Sequence, residues 1–221
     1  MYKGIDVSTY QRNGIDYDKL KQDGVEFAIL KIIRKDLEKD NGFEQHYSGF
    51  NHAQIPIIGV YNYSYASTVD KFKTDAEAVV KALNGRKKKV WLDIENETQM
   101  GIGDTLIDGI NAYFGVLKDY GLDYGIYTVL NFYNTYLKKY EPWLTVDMWI
   151  ARYYNGYNKM KLSDVVNEAK EPSVKNLIAW QYSSSGDLTG YNGNIDLNLY
   201  YGEFDKSVLD DRAYVVKGLI K

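Results

Sequence analysis

The sequence predicts an α/β fold, a single β/α-barrel of the TIM type that becomes irregular in its last third. Two observations carry that reading. Short apolar, β-branched segments alternate with longer amphipathic ones along the chain, the pattern of parallel β/α units. Several of the short segments also end in polar or acidic residues, and a β/α-barrel assembles its site at the C-terminal ends of its strands. No Gly-Ser or Pro-rich linker, internal repeat or low-complexity stretch divides the 221 residues.

In order, strands are expected over 2–7, 26–33, 57–63, 90–95, 124–128, 148–153, 177–182 and 195–200. Helices are expected over 16–23, 43–54, 69–83, 105–120 and 130–140. The segment 69–83 has the firmest helical rhythm: Phe72, Ala76, Val79, Val80 and Leu83 fall on one stripe, and Asn84-Gly85 follow as a stop. Gly24 and Gly121 stand where a helix should end before a strand. Eight strands with about five helices leave too few crossovers for a regular barrel. Residues 1–203 are read as the barrel, and 204–221 as a last helix or tail, or the start of a linker.

The acidic residues inside otherwise apolar strands call for a function or a partner. The first strand reads Gly4-Ile5-Asp6-Val7-Ser8, the fourth Trp91-Leu92-Asp93-Ile94-Glu95, the seventh Trp180-Gln181-Tyr182, and the eighth Ile195-Asp196-Leu197-Asn198. On a strand, Asp93 and Glu95 point to the same face with Cα atoms roughly 6.5 Å apart. Two like charges that close cannot both ionise freely, so one carboxyl should stay protonated toward neutral pH. That yields a general acid beside an ionised base, nucleophile or electrostatic support, the pair glycoside hydrolysis uses. A lone pair of this kind also caps helices, pairs with Lys or Arg, or binds a divalent cation. In a closed barrel the first and eighth strands are neighbours, so Asp6 and Asp196 would join the pair at one mouth.

Composition narrows the field. The net charge of −3 and pI near 5.5 disfavour nucleic acid and an anionic membrane surface as partners. No apolar run reaches the roughly 18 residues of a membrane span, and no secretory leader is visible at the start of the chain. Cysteine is absent, so disulfides, thiolate metal sites and a cysteine nucleophile are excluded. His46 and His52 are the sole histidines and would not share a helix face, which disfavours a His-rich metal barrel and a Ser-His-Asp triad. No cofactor or metal is expected. The 22 tyrosines include strand residues with wet hydroxyls, and also flat amphipathic rings suited to lining a sugar groove.

These four strand blocks, with Gln11, resemble the signature blocks of glycoside hydrolase family 25, which comprises Chalaropsis-type lysozymes and many phage endolysins. Lesser agreements are Lys31, Gly59-Val60-Tyr61-Asn62-Tyr63, Gly125-Ile126-Tyr127-Thr128 and Trp149-Ile150-Ala151-Arg152-Tyr153. The blocks run in order over about residues 2–200. The resemblance implies a flattened barrel and cleavage of the β-1,4 bond between N-acetylmuramic acid and N-acetylglucosamine in peptidoglycan at the cell wall; the chain is expected to act as a monomer. It makes Glu95 the general acid, Asp93 its partner, and Asp6 and Asp196 flanking carboxylates. Tyr61, Tyr63, Tyr127, Trp149 and Gln181 become candidates for contacting sugar, with a core role for Trp149 as the alternative. Residues at i and i+2 should sit near the about 5–5.5 Å separation of retaining enzymes, with either Asp93 or the substrate's acetamido oxygen as nucleophile. The competing reading is a weak or inactive glycan-binding barrel. One departure stands out: many members carry a Lys-Ala-Thr-Glu-Gly-like stretch where this chain has Lys31-Ile32-Ile33-Arg34-Lys35-Asp36, which alters the charge of one groove wall.

Overall fold

The computed structural model describes residues 1–142 and 144–204. Eight strands close into a barrel in sequence order: β1 (Tyr2–Val7), β2 (Phe27–Lys31), β3 (Ile57–Tyr63), β4 (Lys89–Asp93), β5 (Tyr124–Val129), β6 (Asp147–Ala151), β7 (Leu177–Leu188) and β8 (Tyr191–Tyr200). Pairing is parallel from β1 through β7. The last strand departs from the repeated parallel unit, since β8 runs antiparallel to both β7 and β1. Its connection explains why. Only Thr189 and Gly190 separate β7 from β8, and two residues can turn a hairpin but cannot make the crossover a parallel pair needs. Both hairpin strands outrun the expected segments. Asp23 fastens their tip, its carboxylate accepting from the Thr189 amide at 2.6 Å and the Thr189 hydroxyl at 2.8 Å.

The helices are α1 (Tyr17–Gln22), α2 (Phe43–His52), α3 (Val69–Leu83), α4 (Thr105–Asp119) and α5 (Leu130–Phe132). Thr68 caps α3 through its side chain, and Asn84 ends it in the left-handed conformation at φ 50°. The fifth helix differs from the regular segment expected over 130–140. After one turn it widens into a π-turn (Tyr133–Leu137) and tightens into a 3₁₀ turn (Lys138–Tyr140). Thr135 donates its hydroxyl back to the Asn131 carbonyl at 2.8 Å, the kind of back-bonding that bends helices.

Strand alternation makes two cores. Outward residues such as Val90, Leu92, Ile126 and Leu197 pack under the helices in one large cluster. Inward residues Phe27, Ile29, Trp91, Tyr127, Trp149 and Ala179 fill the barrel itself. Trp91 needs room that neighbouring strands must concede. A Cβ on Gly125 would lie 2.4 Å from its ring, and one on Gly59 2.9 Å from its Nε1. Phe204, assigned from sequence to the tail, packs its ring 4.6 Å from Tyr2 at the opposite end of β1 from Asp6; the rest of the expected C-terminal helix or tail, 205–221, lies outside the described residues. No helix among the described residues is long and apolar enough to cross a membrane.

Gly125→Ala should therefore destabilise the fold by about 1–3 kcal/mol through overpacking against Trp91. Urea unfolding would measure it, and an unchanged midpoint would mean that Trp91 does not dictate the glycine.

Candidate active site

Inward-facing positions at the upper ends of the strands open into a cleft of about 280 Å³. All nine sequence-selected residues line it: Asp6, Tyr61, Tyr63, Asp93, Glu95, Tyr127, Trp149, Gln181 and Asp196. Asp196 arrives by a different route from the one expected. Because β8 is antiparallel, its early half reaches the mouth, and Asp196 stands in register opposite Asp6 of β1. Opposed residues of an antiparallel pair share a face at close range, and a side-chain hydrogen bond joins these two carboxyls.

Asp6 is the hub of the polar floor. It is 4% exposed, and its Oδ2 accepts from Gln181 Nε2 and from Asn198 Nδ2, each at 2.8 Å. Burial pushes its carboxyl up, and these hydrogen bonds pull it back toward the ionised form. Burial pushes Asp196 well above the usual range, and the charge and hydrogen bond of Asp6 add to that. The two carboxyls accordingly do not both ionise, and a proton is held between them. Gln181 is turned the right way by its own partners, because its Oε1 accepts from Tyr127 OH at 2.8 Å and Tyr153 OH at 2.5 Å. Asn198 is oriented by Trp149, whose Nε1 donates to its Oδ1 at 2.9 Å. Trp149 thus belongs both to the barrel core and to the cleft.

Asp93 is the last residue of β4, in register with Tyr63 and Tyr127. Glu95 lies beyond the strand end rather than within it, half-buried. The segment that holds it is strapped on several sides. Thr128 Oγ1 donates to the Ile94 carbonyl at 2.6 Å, and the Ile94 amide donates to the Tyr127 carbonyl at 3.0 Å. Downstream, Asn96 and Gln99 form a capping box, and Gln99 Nε2 donates to the Ser64 carbonyl at 3.0 Å. Asp93 Oδ1 and Glu95 Oε2 are buried without a hydrogen-bond partner among the described residues. Burial, then the charge of Glu95, pushes Asp93 well up, against the pull of the Lys31 ammonium. Burial, then the charge of Asp6, pushes Glu95 up to about 7. The two titrate as a coupled pair: two carboxylates, at first sight two negative charges, hold a proton between them toward neutrality.

Sequence reasoning missed part of the constellation. Asn198 and Tyr153 orient the floor, although each sits two residues from an inward position and strand alternation could have flagged it. Lys31 enters the cleft from β2, its ammonium 5.9 Å from the Tyr61 ring centre and 5.8 Å from that of Tyr63. Tyr10 stands on the rim, 82% exposed. His46 lies outside the cleft, neutralised by burial, and bridges the Ser8 carbonyl at 2.8 Å and the Tyr17 hydroxyl at 3.0 Å. Among the described residues no group of three or more His, Asp or Glu side chains is arranged to hold a metal ion.

Fold and cleft together define a carboxylate-bearing barrel of the glycoside hydrolase class. Residues 5–191 match the family model for glycosyl hydrolases family 25, and the chain belongs to that family. It is 27% identical over 215 residues to the autolytic lysozyme of Clostridium acetobutylicum, spanning 97% of this chain and 59% of that protein. It is 26% identical over 215 residues to lysozyme M1 of Streptomyces globisporus, spanning 90% of this chain and 68% of that one. Among solved structures, the catalytic domain of endolysin ply40 from bacteriophage P40 of Listeria monocytogenes shares the fold with a TM-score of 0.72. That likeness has 22% identity and covers 90% of this chain and 93% of that domain.

Two outcomes follow from the geometry. Glu95→Gln should stabilise the fold above neutrality. A carboxyl held near 7 when folded, against 4.5 ordinarily, contributes fully below about 4.5 and loses that contribution as pH rises through 7. The gain should be absent near pH 4 and reach ~3 kcal/mol at most above pH 7; a pH-independent Tm difference would sink the argument. Thr128→Val should lower kcat about tenfold or more with little loss of Tm, because it frees the Glu95 segment. Unchanged kcat would show that the remaining straps suffice.

Proposed function

We propose that this chain is a peptidoglycan muramidase that hydrolyses the β-1,4 bond between N-acetylmuramic acid and N-acetylglucosamine with net retention. The observation that carries the reading is Glu95, a half-buried carboxyl held near 7 beside Asp93 in an aromatic-walled cleft. Membership of the family and the lysozyme names of the relatives support it.

Glu95 is the general acid. It passes its proton to the glycosidic oxygen as the bond to the anomeric carbon breaks. In the reactive protonation state the proton the pair shares is on Glu95, and Asp93, facing the Lys31 ammonium, is ionised. The acetamido oxygen of the muramic acid residue closes onto the anomeric carbon, and Asp93 stabilises the cyclic cation. Water, deprotonated by Glu95, then opens the ring from the opposite face, so two inversions give retention. Asp6 and Asp196 keep the floor polar and fixed. Tyr61, Tyr63, Tyr127 and Trp149 offer flat faces and hydroxyls to the sugars, while Gln181 is held by the floor. Residues 1–203 form the catalytic unit, acting as a monomer on cell-wall glycan without a cofactor.

Purified Gram-positive cell walls, scored for new reducing ends against new amino groups, test the reading. Wild type should release reducing ends alone, and its rate should fall as pH rises through about 7, where Glu95 loses its proton. Glu95→Gln should lose turnover by 10²-fold or more while still binding glycan, and Asp93→Asn should be severely impaired. Asp6→Asn and Asp196→Asn should be milder, and turnover should survive EDTA. Absence of reducing ends from folded wild type would replace the muramidase with a glycan-binding barrel. A trapped glycosyl ester on Asp93 would replace substrate assistance with covalent catalysis.

A further inference from the structure

The loop after β2 carries a cation that the fold does not use. Arg34 is committed, its Nε and Nη2 gripping the Asp36 carboxylate at 3.1 and 2.7 Å and its Nη1 donating to Asn41 Oδ1 at 2.6 Å. Asp36 also accepts from the Glu38 amide at 3.2 Å, so the loop is internally braced. Lys39 is committed to Glu44 at 2.6 Å. Lys35, exposed between them, enters no ion pair with a described residue. Its ammonium instead stands 4.6 Å over the Tyr65 ring, a weak hold that leaves most of its charge available.

Tyr65 connects this cation to the cleft. Its ring lies 4.9 Å from that of Tyr63, a cleft-lining residue, and Thr98 Oγ1 anchors its carbonyl at 3.1 Å. Asn96 Nδ2 anchors the Tyr63 hydroxyl at 3.2 Å. The wall from floor to rim therefore runs Asp93, Tyr63, Tyr65, Lys35, from acidic through aromatic to basic. An anionic substituent on a bound polymer is repelled by the remaining negative charge of the acidic cleft and attracted to this rim.

We propose that Lys35, backed by Tyr65, is a subsite for a carboxylate borne by the glycan, outside the bond-cleaving centre. The inference rests on the muramidase reading. Two sources offer that chemistry: the lactyl ether carboxylate of unsubstituted muramic acid and the free carboxylates of a stem peptide. On intact glycan both are never present at the same position, since a stem consumes the lactyl carboxylate as an amide.

The test compares wild type, Lys35→Gln and Lys35→Arg on three soluble glycans: stems intact, stems removed by an amidase, and carboxylates neutralised with carbodiimide and glycinamide. Lys35→Gln should raise KM about two- to fivefold on a carboxylate-bearing glycan with kcat retained, should flatten the salt dependence of KM, and should equal wild type on the neutralised glycan. Lys35→Arg should restore the wild-type KM. A penalty confined to intact stems assigns the stem carboxylates; one confined to stripped glycan assigns the lactyl carboxylate. Equal KM for wild type and Lys35→Gln on both charged glycans, with wild type active, overturns the subsite and leaves the muramidase standing. If wild type cleaves none of the three and Glu95→Gln binds none, the muramidase reading falls first and takes the subsite with it.

Discussion

The barrel closes where β1 meets β8, and the chemistry of the cleft depends on that one pairing. Its antiparallel register sets Asp6 against Asp196 and Gly4 against Asn198, so three polar residues of two strands converge on one face. Slip β8 by one residue and Leu197 would take the place of Asp196 while the acid turned outward under the helices. The apolar alternation of Ile195, Leu197 and Leu199 forbids the slip, because each is buried in the outer core. Packing outside the barrel thereby fixes charge inside it.

Four acids in a low-dielectric space would be untenable if all were ionised. The structure resolves this by treating them unequally. Asp6 accepts hydrogen bonds from Gln181 and Asn198 and shares a proton with Asp196, while the Asp93/Glu95 pair is left short of partners. The first pair is satisfied, whereas the second retains unmet hydrogen-bonding capacity, which a substrate's polar atoms can meet. Stability and reactivity are divided between opposite sides of the barrel.

Much of this was legible in the chain. β1, β3 and α3 begin and end where periodicity puts them, because alternation or a clean helical stripe is bounded by turn residues. The inward acids were legible because a carboxylate within an apolar strand has no packing rationale. Other features were not. Glu95 read as a strand residue, since D-x-E alternation continues past the last ladder hydrogen bond; only the straps from Thr128 and Gln99 show that a turn holds it. The direction of β8 was hidden as well, because an alternating strand reads the same whether parallel or antiparallel, and the two-residue connection emerges only once β7 is seen to extend to Leu188. Tyr153 and Asn198 escaped because, although alternation places them on the inward face, residue type alone does not mark the task of orienting other side chains.

The pairing of the first strand with the last has a consequence for how the molecule is made. Tyr2 finds its partner in Tyr200, so the ring stays open until nearly the whole barrel has left the ribosome. Until then β1 has β2 on one side and a bare edge on the other, with Asp6 set into it. A charged residue facing inward on an unpaired edge is what discourages strands from adding to each other. The residue that anchors the finished floor thus also guards the nascent chain, during the interval when a slow, long-range closure leaves it open to aggregation.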